Sequence, residues 1–137
     1  MKKLILFVLG TAILLPGCAM INIDKSISAH DAVADQVKLG DGKEKVLSIL
    51  LPTQEDLPRD ASKRPDKYVK DGVRVDIYYM RSGIQPDGLT TDDEFTPYIF
   101  NDDVLVGIGW VSIGGPKTQG QTTPTTNVNV QQKTIIH

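Results

Sequence analysis

Val73-Arg74-Val75-Asp76-Ile77-Tyr78-Tyr79 decides the fold class of this chain. Val73, Val75, Ile77 and Tyr79 alternate with Arg74, Asp76 and Tyr78, the period-2 pattern of a half-buried strand. Upstream, strand character begins near Tyr68, and Lys70-Asp71-Gly72 suits a tight hairpin turn. Downstream, residues 82–94 read as a loop, and a strand follows over about 95–100. Asn101-Asp102-Asp103 is a short turn. Val104, Val106, Ile108 and Trp110 then alternate with Leu105, Gly107, Gly109 and Val111, the last strand. Both of its faces are largely apolar, which predicts a central strand or one covered on both sides.

Two short helices precede these strands. Ser28-Ala29-His30-Asp31 reads as a capping box, with Ala29, Val33 and Val37 at helical spacing and Gly40 as the terminating glycine. The pattern predicts a helix over about 29–38. Asp41 then caps a second helix with Glu44 at its third position, and Val46, Leu47, Leu50 and Leu51 form its apolar stripe. Pro52 ends it, since the residue before a proline is pushed out of the α region. Residues 53–66 are proline-rich, charged and aperiodic, a loop. The expected fold is α+β, two N-terminal helices packed on a small three-stranded antiparallel sheet. Val46, Leu47, Leu50, Val73, Val75, Ile77, Val106, Ile108 and Trp110 are expected in its core.

The first 17 residues have a different character. Met1-Lys2-Lys3 is followed by a 12-residue apolar run, Leu4 to Leu15, that ends at Pro16-Gly17. A membrane-spanning helix needs roughly 20 apolar residues, so the run reads as a signal peptide over 1–17. Leu15-Pro16-Gly17-Cys18 resembles the lipobox of bacterial lipoproteins, although Ala, Ser or Thr is commoner than Pro16 at its place. The resemblance implies cleavage before Cys18 and lipidation of its sulfur. Stable anchoring takes more than one acyl chain, at about 0.8 kcal/mol per buried CH₂. Ala19 stands where an Asp resembles an inner-membrane retention signal. In a Gram-negative host this implies the periplasmic face of the outer membrane. Residues 18–27 are then a lipidated tether, and 28–113 form the domain.

The mature chain of 120 residues loses Lys2 and Lys3. The 15 basic residues of the whole chain become 13 against 17 acids, a net charge of −4. No basic patch asks for nucleic acid. Cys18 is the only cysteine, so lipidation leaves no thiol for a disulfide, a metal or a nucleophile. From Gly114, Gly, Pro, Thr, Gln and Asn dominate, a composition that buries too little apolar surface to offset its ordering entropy. Residues 114–137 therefore read as a disordered tail, although Val128, Val130 and Ile135-Ile136 could add a strand to a sheet edge.

Two helices and a three-stranded antiparallel meander behind a lipobox resemble the SmpA/OmlA family of small envelope lipoproteins. The likeness is carried by Leu39-Gly40-Asp41-Gly42-Lys43-Glu44-Lys45-Val46-Leu47-Ser48-Ile49-Leu50-Leu51-Pro52, where Leu51 stands in place of that family's Gly. Residues 87–100, Asp87 to Phe100, look more like a related set of proteobacterial lipoproteins. Together the likeness spans roughly residues 37–111. The shared motifs are structural, so the likeness implies a fold rather than a role, and no cofactor is expected.

Catalytic signatures are missing. No Gly-x-Ser-x-Gly, phosphate-binding loop or His-Glu-x-x-His occurs. Asp87 and Asp92-Asp93-Glu94 lack the alternate spacing of a calcium loop and read as a solvated acidic loop. His30 reads as a surface histidine, and no metal site or catalytic residue is expected. The chain is expected to be a non-enzymatic scaffold or adaptor for envelope proteins. The alternative is a periplasmic ligand-binding or enzyme-inhibitor module. Exposed aromatics are common interface anchors, so Tyr78 and Tyr98, on strand positions expected to oppose the core, are the candidate protein interface.

Overall fold

The computed structural model describes residues 17–115. The expected signal peptide, up to residue 16, and the expected tail, from residue 116, lie outside the described residues. Helix α1 is Gly17–Val33, followed by a 3₁₀ turn at Ala34–Gln36, and α2 is Lys43–Leu50. The strands are β1 Asp66–Lys70, β2 Val73–Arg81, β3 Phe95–Asn101 and β4 Val104–Ile108. They form one antiparallel sheet in the order β1-β2-β3-β4, each strand beside its sequence neighbour. The α+β class holds, and the sheet has four strands rather than three. Asp66–Lys70 is the extra one. All five of its residues are exposed and only Tyr68 and Val69 are apolar, so the strand character that begins near Tyr68 is too short to count as a strand of its own.

The hairpins follow from turn chemistry. Asp71 and Gly72 have φ of 51° and 78°, and Asp102 and Asp103 have 45° and 68°. Two consecutive positive φ values make the tight turn whose twist matches that of paired strands. The second turn is braced by the Arg74 backbone N–H, which donates to Asp102 Oδ1 at 3.1 Å.

The helices depart further from expectation. Residues 19–27 are not a tether but most of α1, and Ser28 lies inside the helix rather than capping it. The buried face of α1 carries Ser26 and His30, polar residues where an apolar stripe is expected, so the periodic signal is weak. Gly40, with φ of +93°, does not end α1. It turns the chain onto the outer edge of β4. There Gly40 N–H donates to Leu105 O at 2.8 Å, and Leu105 N–H donates to Asp41 O at 2.9 Å. Half of an edge that would otherwise invite pairing is thereby covered. Gly42, not Asp41, is the N-cap of α2. Asp41 instead accepts from the Lys38 N–H at 2.9 Å. Pro52 does not stop the chain turning, because Leu51–Gln54 continues as a 3₁₀ turn in which a proline near the start has no N–H to lose.

Each face of the sheet has its own apolar cluster. Helix-side residues Met80, Tyr98, Phe100 and Leu105 pack with Val37, Val46 and Leu50, and with the partly buried Val33 and Leu47. On the other face Val75, Ile77, Tyr79, Phe95 and Ile99 pack beneath Trp110 and Ile113. Those two belong to a 3₁₀ turn, Trp110–Ile113, that folds back over the sheet. The last strand therefore ends at Ile108, where Gly109 (φ 88°) reverses the chain. Val106 and Ile108 are exposed, not core, and β4 alternates exposed and buried along its length. Val75 and Ile77 are buried as expected, but away from the helices, and Val73 is only half-buried.

Candidate functional site

Because period 2 does not say which face meets the helices, the two candidate interface tyrosines change sides. Tyr98 is 2 % exposed, in the centre of the helix-side core. Its hydroxyl shares a 2.9 Å hydrogen bond with Nε2 of His30, itself only 4 % exposed rather than on the surface. Burial pushes the Tyr98 hydroxyl pKa up to about 12. Burial also lowers the His30 pKa, against a smaller opposing pull from Asp31. Asp31 Oδ1 stands 3.5 Å from His30 Nδ1, too far for a firm bond. Nδ1 and the buried Ser26 Oγ have no hydrogen-bond partner. Tyr78 is half-buried, edge-on to Phe100 at 5.9 Å between ring centroids, with Lys67 Nζ 5.8 Å from its ring centre. Tyr98 cannot serve as an exposed anchor, and Tyr78 is mainly packing.

A charged cluster ties the helix layer to the sheet. Lys43 Nζ lies 2.6 Å from Asp76 Oδ2 and 2.5 Å from Asp103 Oδ1, and Arg74 pairs with the same Asp103. The hydrogen bonds that Lys43 donates to Asp103 and Asp76 hold its ammonium above the usual range, and Lys43 holds Asp103 below the usual carboxylate range. Lys43 is the first residue of α2, so the cluster fixes where that helix starts over the sheet.

The 82–94 loop is built differently from a solvated acidic loop. Asp92 and Glu94 are buried, and only Asp93 of the three acids is exposed. Glu94 Oε2 pairs with the Arg81 guanidinium at 2.7 Å, with both side chains at most 2 % exposed. Arg81 also donates to Gly83 O and Ala61 O, each at 3.1 Å. Glu94 accepts from the Gln85 N–H at 2.8 Å and the Thr91 N–H at 3.3 Å. The pair thus meets the condition under which a buried ion pair is tolerated, since both partners are satisfied by further hydrogen bonds. It pins both loops that sequence reading left without structure.

Among the described residues, two open hollows lie at opposite ends of β2. Its nine residues span roughly 26 Å at about 3.3 Å per residue. Near the hairpin turns, on the face away from the helices, lies a hollow of about 630 Å³. Tyr68, Val73, Val75, Ile99 and Val106 line it, with Lys70 and Asp71 at its edge. Tyr68 and Val106 are each 46 % exposed there. At the Arg81 end a groove of about 450 Å³ runs between α1 and the 84–90 loop. Met20 and Ile23 form one wall, Ile84, Pro86 and Leu89 the other, and Arg81 and Glu94 the floor. Sequence reading found neither surface. The one available signal was Val106 and Tyr68, apolar residues at the margins of the strands.

Cys18 lies in the first described turn of α1. None of the described helices is long and apolar enough to cross a membrane. Among the described residues no group of three or more His, Cys, Asp or Glu is placed to hold a metal ion. No family model, curated protein or solved structure matches the chain.

Proposed function

We propose that the chain is an envelope lipoprotein, held through lipid on Cys18 at the periplasmic face of the outer membrane, and that its domain is a non-enzymatic adaptor for another envelope protein. The lipobox-like Leu15-Pro16-Gly17-Cys18 supports the anchor. The hollow on the helix-free face of the sheet carries the adaptor reading. It replaces Tyr78 and Tyr98 as the candidate interface, because its apolar residues Tyr68 and Val106 are open to solvent while those tyrosines face the helices. A rigid sheet with an apolar centre and a charged edge of Lys70 and Asp71 has the anatomy of a protein interface. The SmpA/OmlA resemblance is part of this proposal, with β1 as an addition to that family's three-stranded meander.

Two experiments test it. Cys18→Ser should leave a precursor that takes up no labelled fatty acid, and equal labelling of wild type and variant would overturn the anchor. In membranes of cells making the full chain, Val106→Asp and Tyr68→Ala should each remove a crosslinked partner while the melting temperature stays as in wild type. Crosslinks retained by both variants would overturn the interface.

A further inference from the structure

The groove at the Arg81 end is uncovered and apolar, and it begins two residues from Cys18. Helix α1 is continuous from Gly17 through Val33, so no flexible spacer separates Cys18 from the domain. At 1.5 Å per residue, Met20 lies only about 3 Å and Ile23 about 7.5 Å along the helix axis from Cys18. Acyl chains on Cys18 would hold that residue at the headgroup level. The next turn of α1, and the loop it packs against, must then lie in or on the same layer. The residues at that position are Met20 (58 % exposed), Ile21 (65 %), Ile84 (40 %) and Leu89 (63 %). Exposed apolar side chains grouped in this way mark interaction sites rather than ordinary surface.

Resting on the anchor reading above, we infer that the mouth of this groove is a bilayer-docking surface, in which Met20, Ile84 and Leu89, with the exposed Ile21 beside the groove on the same helical turn, enter the headgroup boundary of the membrane that Cys18 is tethered to. Amphipathic segments bury their apolar face about 5–10 Å into that boundary, a depth the rim residues can reach from the anchor. Charge decides what kind of lipid surface suits them. Residues 17–24 and 82–94 contain no Lys or Arg but do contain Asp24, Asp87, Asp92, Asp93 and Glu94, and the flanking cations are taken: Lys25 pairs with Asp56, and Arg81 is buried against Glu94. Attraction to anionic lipid, which depends on basic residues near the surface, therefore contributes nothing. Contact is apolar, indifferent to salt, and no stronger on anionic than on zwitterionic lipid. The 3.1–2.7 Å bonds of Arg81 and Glu94 behind the loop keep Ile84 and Leu89 presented rather than folded inward.

The docked domain has a fixed orientation. With the Arg81 end of β2 against lipid, the hollow at the Val73 end faces away from the membrane, where a partner can reach it.

The test uses the single-cysteine chemistry of the chain. Ile84→Cys, Leu89→Cys and, as a control on the distant edge strand, Val69→Cys are made in the full chain, which is purified from membranes and reconstituted into phosphatidylcholine vesicles. A polarity-sensitive maleimide dye then labels free thiols. With Cys18 lipidated, mass spectrometry shows one dye per chain. The expected result is blue-shifted emission at residues 84 and 89 that a lipid-borne quencher removes, unchanged in high salt or with added phosphatidylglycerol, and water-like emission at residue 69. Singly labelled protein in which residues 84 and 89 are as water-exposed as residue 69 would overturn the docking surface while leaving the anchor intact. Two dyes on a chain that stays in the aqueous fraction would overturn both. A shift at residue 89 that occurs in native membranes but not in pure lipid vesicles would also overturn bilayer docking, assigning the groove to a protein.

Discussion

The two faces of the sheet are made from neighbouring residues and are covered by different elements. Phe100 and Ile99 are adjacent in β3, yet Phe100 is fully buried under two helices while Ile99 lies under a single 3₁₀ turn. The helix face holds the largest fully buried side chains, Tyr98, Phe100, Leu50, Met80 and Leu105, and a buried polar pair, His30 with Tyr98, while the buried aromatics of the other face are Tyr79 and Phe95. The other face holds a thinner cluster whose margin at Tyr68 and Val106 is open. Among the described residues the helices cover one face, and the other is covered only by the Trp110–Ile113 turn; the proposed partner site lies on that thinner side.

Substitutions can break this contrast. Phe100→Ala should cost about 3–5 kcal/mol, the usual range for removing a buried aromatic ring, and Ile99→Ala should sit at the low end of about 2–5 kcal/mol. Chemical denaturation of the two variants gives the comparison, and equal losses would show the two faces to be equally packed. Glu94→Gln should destabilise by about 3 kcal/mol, because it leaves the Arg81 guanidinium buried opposite a neutral group. Its effect should extend to both loops, read as faster amide exchange at residues 59–61 and 83–91. Loss confined to one loop would mean that Arg81 does not link them.

A smaller effect should appear with pH. Burial holds the His30 pKa below its ordinary 6.5, so the unfolded chain binds this proton more readily than the folded one. The contribution of neutral His30 is complete above pH 6.5 and falls away as pH drops below it toward the lowered folded pKa. His30 is the only histidine among the described residues. His30→Gln should therefore flatten the stability profile below about pH 6.5, and a slope that survives the substitution would place its origin elsewhere. The smallest effect on stability is expected at the open hollow. Val106→Asp, on a half-exposed residue, should change stability by no more than about 0.5 kcal/mol. A larger loss would mean that Val106 is core after all.

Pattern and turn chemistry alone specified an antiparallel meander. Asp71-Gly72 and Asp102-Asp103 announce tight turns because small polar residues and glycine tolerate positive φ, and the structure uses them so. Alternation from Val73 to Tyr79 specified a strand, and the spacing of Val46 and Leu50 specified α2 and its buried side. What the sequence could not decide was which face of the sheet the helices would cover. β3 carries large apolar or aromatic residues at both odd and even positions, and β2 sets Tyr78 and Met80 opposite its Val75–Tyr79 face, so alternation does not name the helix side, and packing against Val46 and Leu50 selects the Tyr98–Phe100 face. The same holds for α1, whose buried stripe contains Ser26 and His30. A histidine reads as a surface residue until a tyrosine 68 positions away supplies its hydrogen bond. It holds again for Arg81 and Glu94, charged residues at the borders of a loop that become buried because each neutralises the other in space. Local preference acts over a few residues and fixes turns, strands and helix stripes. Burial depends on partners distant in the chain, so the orientation of the sheet, the polar core and the two uncovered surfaces belong to the tertiary structure alone.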